Sequence, residues 1–150
     1  MQVHHRRSRS SRGFTLIEVL LVLAIIGVIM AIAVPALMGR RRQANIEATR
    51  IQISAVENAL DMYANDHDGI YPNSGDGLMV LIANPGNSPQ WRGPYLKNTQ
   101  QLPMDAWQQP LSYAFPGTRI GTADRPDIWS NGPDRTPNTP DDIGNWSPMR

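Results

Sequence analysis

The chain has 150 residues, enough for one domain, and its lack of cysteine excludes disulfides and thiolate metal sites. Its net charge of +1 is unevenly spread: the first thirteen residues carry four of the fourteen basic groups and no acid, and the rest sets ten basic residues against thirteen acidic ones, or −3. That balance is not the profile of a nucleic-acid-binding protein.

Residues 1–13 are polar and basic, with Arg6, Arg7, Arg9 and Arg12 and no apolar run. Residues 14–38 read as a membrane-spanning helix. Val19 to Met38 holds twenty residues without a charge, mostly Leu, Ile, Val and Ala. As a helix that run is roughly 30 Å long, the thickness of a bilayer core. Gly27 and Pro35 interrupt it, and both are tolerated better in membrane helices than in soluble ones. Residues 39–66 read as an amphipathic continuation of the helix, because no Gly or Pro falls between Arg40 and Asp66. Ile53, Val56, Leu60 and Tyr63 form one apolar stripe, suited to cover a small globular body. Ala44, Ala48, Ile51 and Ala55 form a second stripe of smaller residues, suited to face neighbouring helices. Glu47 and Arg50 are spaced to pair on the wet face.

Asp66-His67-Asp68-Gly69 stops the helix and Tyr71-Pro72 fixes an extended exit. Residues 67–150 then read as a small, loop-rich domain, since most of the thirteen prolines and twelve glycines follow Gly69. One or two helical turns are expected from Asp76 to Ala83. Short apolar runs at Leu111–Phe115 and Pro126–Trp129 suggest a small antiparallel sheet. Tyr71, Trp91, Tyr95, Trp107, Tyr113, Trp129 and Trp146 are expected to supply an aromatic core, because a small domain without disulfides needs large side chains or a metal. No catalytic constellation is present: two of the three histidines lie before Gly13, and no phosphate loop or nucleophile elbow occurs. The chain therefore reads as a structural protein, not an enzyme.

Glu18 places a carboxylate just inside the apolar run, where an ionised group needs a partner or a purpose. A Sec signal peptide would explain the basic start, and Ala31-Ile32-Ala33 offers an A-x-A cleavage site. However, the run exceeds the usual apolar length of about 7–15 residues. A carboxylate also has no role in a signal peptide or a plain anchor, and mid-membrane it costs ~2.5–3.5 kcal/mol. Gly13-Phe14-Thr15-Leu16-Ile17-Glu18 resembles the cleavage site of type IV prepilins, cut between Gly and Phe. Cleavage after Gly13 would create an α-ammonium on Phe14, four residues from Glu18. Paired between neighbouring helices, the two charges would set axial register, as a buried polar group does in a coiled coil. The residues by themselves leave the prepilin and anchor readings open; the whole string favours the first. The arginines of residues 1–13 favour a cytoplasmic N-terminus, narrowly outnumbering Arg40, Arg41 and Arg42 on the far side.

The segment 129–146 gathers Asp134, Asp141 and Asp142 among Gly, Pro, Asn and Thr residues. Calcium takes six to eight hard oxygens on a flexible loop, and the supply here suits it. The spacing is not that of an EF-hand, and spacing alone favours ordinary turn chemistry.

Further strings extend the resemblance along nearly the whole chain: Glu57 to Tyr63, Asp68-Gly69-Ile70-Tyr71-Pro72, Gly77-Leu78, Trp91 to Lys97, Leu102-Pro103, and Asp141 to Trp146. With them the chain resembles the G-type, or major, pseudopilin family of the type II secretion system, within the type IV pilin-like superfamily. The resemblance implies an α+β pilin-like fold, a long N-terminal helix packed on a small antiparallel sheet. It implies removal of residues 1–13 by prepilin peptidase, N-methylation of Phe14, and anchoring in the bacterial inner membrane with the C-terminal domain in the periplasm. Subunits would then polymerise with one another into a pseudopilus driving protein secretion across the outer membrane, in company with minor pseudopilins and an inner-membrane assembly platform. It further implies a calcium ion held by Asp134, Asp141 and Asp142, with backbone oxygens near Asn131, Thr136 and Thr139 completing the shell. A subunit of an adhesive or DNA-uptake pilus is the alternative, disfavoured by the later strings and the absence of a cysteine pair. An ordinary secreted protein is the third reading. Two departures bear on the fold: Asp105-Ala106-Trp107-Gln108 stands where the family has Asp-Pro-Trp-Gly, and Pro133-Asp134-Arg135 where it has Ala-Asp-Gly. In addition, Thr136-Pro137-Asn138-Thr139-Pro140 replaces a Gly-rich stretch.

Overall fold

A computed structural model describes residues 13–84, 86–96, 101–121 and 123–146. The basic leader before Gly13, and Lys97 within the family-like string, lie outside the described residues. One helix, α1 (Leu16–Asp66), runs for 51 residues and continues through Gly27 and Pro35. Its first part is long and apolar enough to cross a membrane. The chain divides into two compact units, 1–40 and 41–150. In the first, the large apolar side chains from Leu16 to Met38 are exposed.

In the second unit, Ile53, Val56, Ala59 and Leu60 of α1 cluster with Leu78, Leu81, Leu111, Ile128 and Ile143. The expected stripe is therefore the buried face, with Tyr63 packed at its edge. Ala44, Ala48, Ile51 and Ala55 stay exposed. Glu47 and Arg50 come within 3.8 Å. The helix ends where Gly69, at φ +83°, turns its N–H back to the Ala64 carbonyl at 2.8 Å. A left-handed glycine closing a helix in this way satisfies carbonyls the helix leaves open.

Short elements follow: a 3-10 helix (Gly77–Leu81), then β1 (Ser112–Ala114), β2 (Asp127–Ser130) and β3 (Ile143–Gly144). They form an antiparallel sheet in the order β1-β2-β3, with Tyr113 opposite Ile128 and Trp129 opposite Gly144. β3 falls inside the segment that the sequence suggested was loop throughout. Its register with β2 makes residues 131–142 a connection closed at both ends by the sheet.

The core differs from the expected aromatic one. The buried hydrophobic residues among those described are Ile, Val, Leu and Ala, while Tyr63, Tyr71, Tyr95, Trp107 and Tyr113 pack around them. The reason is their polar atoms, which need partners at the rim. Tyr71 donates to Asp61 at 2.7 Å, Tyr95 to Asp66 at 2.9 Å, Tyr113 to the Pro72 carbonyl at 2.7 Å and the Trp91 indole to the Val80 carbonyl at 2.7 Å. Three of these bonds tie α1 or its exit to later segments. Arg125 adds ion pairs to Glu57 and Asp61 at 3.5 and 3.6 Å. Thr49, fully buried, donates to the Asn45 carbonyl and accepts from Ala106 N–H at 3.2 Å, joining α1 to the Asp105 turn.

Candidate functional site

At the head of α1, Thr15 and Glu18 form a capping box. The Thr15 hydroxyl accepts from Glu18 N–H at 3.3 Å, and a Glu18 carboxylate oxygen accepts from Thr15 N–H at 3.3 Å. Side chains that return to each other's backbone in this way satisfy donors that a helix start leaves open. Phe14 is 85% exposed, and a Cβ added at Gly13 would meet nothing within 4 Å. Among the described residues nothing covers the Gly13–Phe14 bond, and Glu18 turns toward the backbone beside it.

The acidic loop is held from three directions. The first is Asp105, 3% exposed, which takes Trp107 and Gln109 N–H on one oxygen and the Ser130 hydroxyl at 2.6 Å on the other. Ser130 in turn accepts from Gly132 N–H at 3.0 Å, so a buried carboxylate sets where the loop leaves β2. Gly132 has φ +68°, and a Cβ there would lie 2.4 Å from the Asp141 carbonyl oxygen, so the two arms of the loop meet at a position open only to glycine.

The second is Asp127, 2% exposed. It takes Thr118 and Arg119 N–H at 2.7 and 2.9 Å on Oδ2 and Ile120 N–H at 3.1 Å on Oδ1. Gly117 is required beside it, because a Cβ would stand 2.3 Å from the Arg125 carbonyl oxygen. This turn presents Arg119 to the loop.

The third is Arg119 itself. Its guanidinium lies 4.8 Å from the Trp146 ring centroid and 5.7 Å from that of Trp129, with one nitrogen 3.4 Å from Asp142 Oδ2 and another donating to Asn138 Oδ1. Trp146 in turn covers Gly144, where a Cβ would come within 2.5 Å of its ring.

Within this frame each of the three expected aspartate ligands has a partner. Asp134 Oδ1 accepts from Thr136 N–H at 2.8 Å. Asp141 Oδ1 accepts from the Thr139 hydroxyl at 2.7 Å, and that bond is the main cause holding its carboxyl below the usual range. Asp142 Oδ2 accepts from Asn138 N–H at 2.9 Å, and its Oδ1 lies 3.4 Å from the Thr139 hydroxyl. Asn131 Oδ1 is buried without a hydrogen-bond partner. Among the described residues no three His, Cys, Asp or Glu side chains already converge on one point. The loop brings Asp141, Asp142 and Thr139 together and closes Gly132 against Asp141, while Asp134, besides serving its own turn, also hydrogen-bonds with Asp141. The chemistry of this set fits a hard cation: the donors are all oxygen, and one of them is a buried acceptor with nothing to accept from. Arg119, Asn138 and Asp127 carried no signal in the sequence reading, because their role comes from cross-loop contacts.

The two departures from the family pattern fall at matching places. Gln108 has φ +62° and Arg135 φ +59°, so each non-glycine residue occupies the left-handed conformation that glycine adopts freely.

Comparison with known proteins bears on the family and the fold. The profile of the family described as type II secretion system (T2SS), protein G, matches residues 36–146, and that of the prokaryotic N-terminal methylation motif matches residues 8–34. The type II secretion system core protein G of Klebsiella michiganensis is 39% identical, over 94% of this chain and 96% of its own. The protein of the same name from Pseudomonas aeruginosa is 38% identical, over 92% and 96%. The crystal structure of the major pseudopilin from the type 2 secretion system of enterohaemorrhagic Escherichia coli superposes with a TM-score of 0.59 at 36% identity, covering 73% of this chain and 89% of that one. With a long apolar helix that begins inside the match to a methylation motif, a three-stranded antiparallel sheet later in the chain and relatives matched along almost their full length, this chain belongs to the type II secretion system protein G family, the major pseudopilins.

Proposed function

We propose that this chain is a structural subunit, without catalytic activity of its own, that is processed and then self-assembles. Prepilin peptidase cuts between Gly13 and Phe14 and methylates the new amine. The helix anchors the subunit in the inner membrane, with the N-terminus cytoplasmic and residues 67–150 periplasmic. Subunits polymerise into a periplasmic pseudopilus, with minor pseudopilins and the assembly platform as partners, and the filament drives secretion across the outer membrane. Calcium binds in the acidic loop through Asp134, Asp141 and Asp142, with oxygens of Asn131, Thr136 and Thr139, and braces the β2–β3 connection.

The observation that carries this reading is the Thr15–Glu18 capping box at the head of an exposed apolar helix. Processing would place an ammonium on Phe14, next to the N–H that Glu18 now accepts from. In lipid, a neighbouring helix can offer the same charge to the same carboxylate, where low dielectric strengthens the pairing. Intact mass and N-terminal sequencing of the mature protein are expected to give methylated Phe14. Glu18→Leu is expected to leave cleavage intact and to abolish pelletable filaments when the subunit is overproduced. A mature start at Val34, or normal filaments from the Glu18→Leu chain, would defeat the proposal.

A further inference from the structure

We infer that Arg119 is a resident cation of the acidic loop, standing in for the metal at Asp142 and releasing that carboxylate when calcium enters. The inference rests on the calcium reading of the loop proposed above. Asp142 is nearly enclosed, its side chain only 5% exposed, and a carboxylate so placed is costly without a countercharge. Arg119 supplies one at 3.4 Å, and the same guanidinium also reaches Asn138, which lies on the stretch joining Asp134 to Asp141.

The arginine is not a loose surface group. Its backbone N–H is fixed by buried Asp127, and its guanidinium is held against the Trp129 and Trp146 rings. A planar cation suits that place, because it can face an aromatic ring and bond in its own plane at once.

As the loop stands, no three carboxylates converge among the described residues: Asp134 and Asp141 meet, while Asp142 is held by Arg119. Calcium drawn to Asp142 meets an oxygen, Oδ2, that Arg119 and the Asn138 N–H already hold. The metal and the arginine therefore compete for one carboxylate. The arginine keeps the connection folded before the metal arrives, at the expense of affinity once it does.

The test uses the full-length chain in detergent micelles, with near-UV circular dichroism melting in EGTA or calcium chloride and calcium titration by calorimetry. Arg119→Met is expected to melt below wild type in EGTA, to gain more from calcium than wild type does, and to bind it on the order of tenfold more tightly as a competing positive charge is removed. Arg119→Lys keeps the charge and is expected to fall between the two, which covers the case where the methionine variant fails to fold. Equal or smaller calcium gains in both variants overturn the role of Arg119 while leaving calcium binding intact. No response to calcium in any of the three proteins overturns the calcium reading itself, and the inference with it.

Discussion

Asp127→Asn tests whether a single buried carboxylate holds the turn that presents Arg119. The native side chain accepts three backbone N–H groups, two on Oδ2 and one on Oδ1. Asparagine is nearly the same shape but has one acceptor oxygen and one N–H2. If its oxygen keeps Thr118 and Arg119, each bond falls from charge-assisted to neutral strength, a loss of about 1 kcal/mol apiece. The Ile120 N–H then faces another donor, and an unsatisfied buried N–H costs about 1–3 kcal/mol. The expected loss is about 3 kcal/mol after local relaxation, which lowers the melting temperature of a unit the size of residues 41–150 by roughly 10–15 °C. Thermal unfolding by near-UV circular dichroism measures it, and amide exchange should show Thr118, Arg119 and Ile120 losing protection together. Asp124→Asn, at an exposed position on the same connection, serves as the control and is expected to shift stability by no more than about 0.5 kcal/mol. A shift for Asp127→Asn no larger than the control's would refute the reasoning.

Two further outcomes are expected. Gln108→Gly relieves a left-handed side chain worth about 1–2 kcal/mol of strain and restores about half of that as extra freedom of the unfolded chain, so it should stabilise by about 0.5–1 kcal/mol in urea unfolding; destabilisation would contradict it. Burial is the main cause raising the phenol pKa of Tyr63, Tyr71, Tyr95 and Tyr113, so these groups hold their protons more tightly when folded than when unfolded. The stability they supply is complete below about pH 10, the unfolded value, and is lost as pH rises from there. Tyr113→Phe should make that decline shallower, and an unchanged slope between about pH 10 and 11 would count against the assignment.

Much of the fold was legible because local rules govern it. The run from Val19 to Met38 dictates a helix apolar all round and the Ile53, Val56, Leu60 spacing one apolar face, and both lie in α1 as expected. The stop at Asp66–Gly69 and the strands near Tyr113 and Ile128 follow from turn chemistry and short apolar runs. The aromatic core was misjudged for a physical reason. Size alone argues for burial, but phenol and indole groups must keep a partner, and here the partners lie on α1 and its exit. β3 was hidden because two residues carry no period, and its pairing is defined only by the strand beside it.

The sequence by itself determined the long apolar helix, the Gly13–Glu18 string inside the methylation motif, the family and the supply of loop oxygens, because each of these is carried by short strings of neighbouring residues. Tertiary structure alone decided what surrounds the oxygens. Arg119 reaches Asp142 across 23 positions and stacks on Trp146 only because Asp127 ties its turn to β2. Asp105 sets the start of the loop through Ser130, 25 positions away. Charge neutralisation and burial act through space, so separation along the chain gives no measure of them.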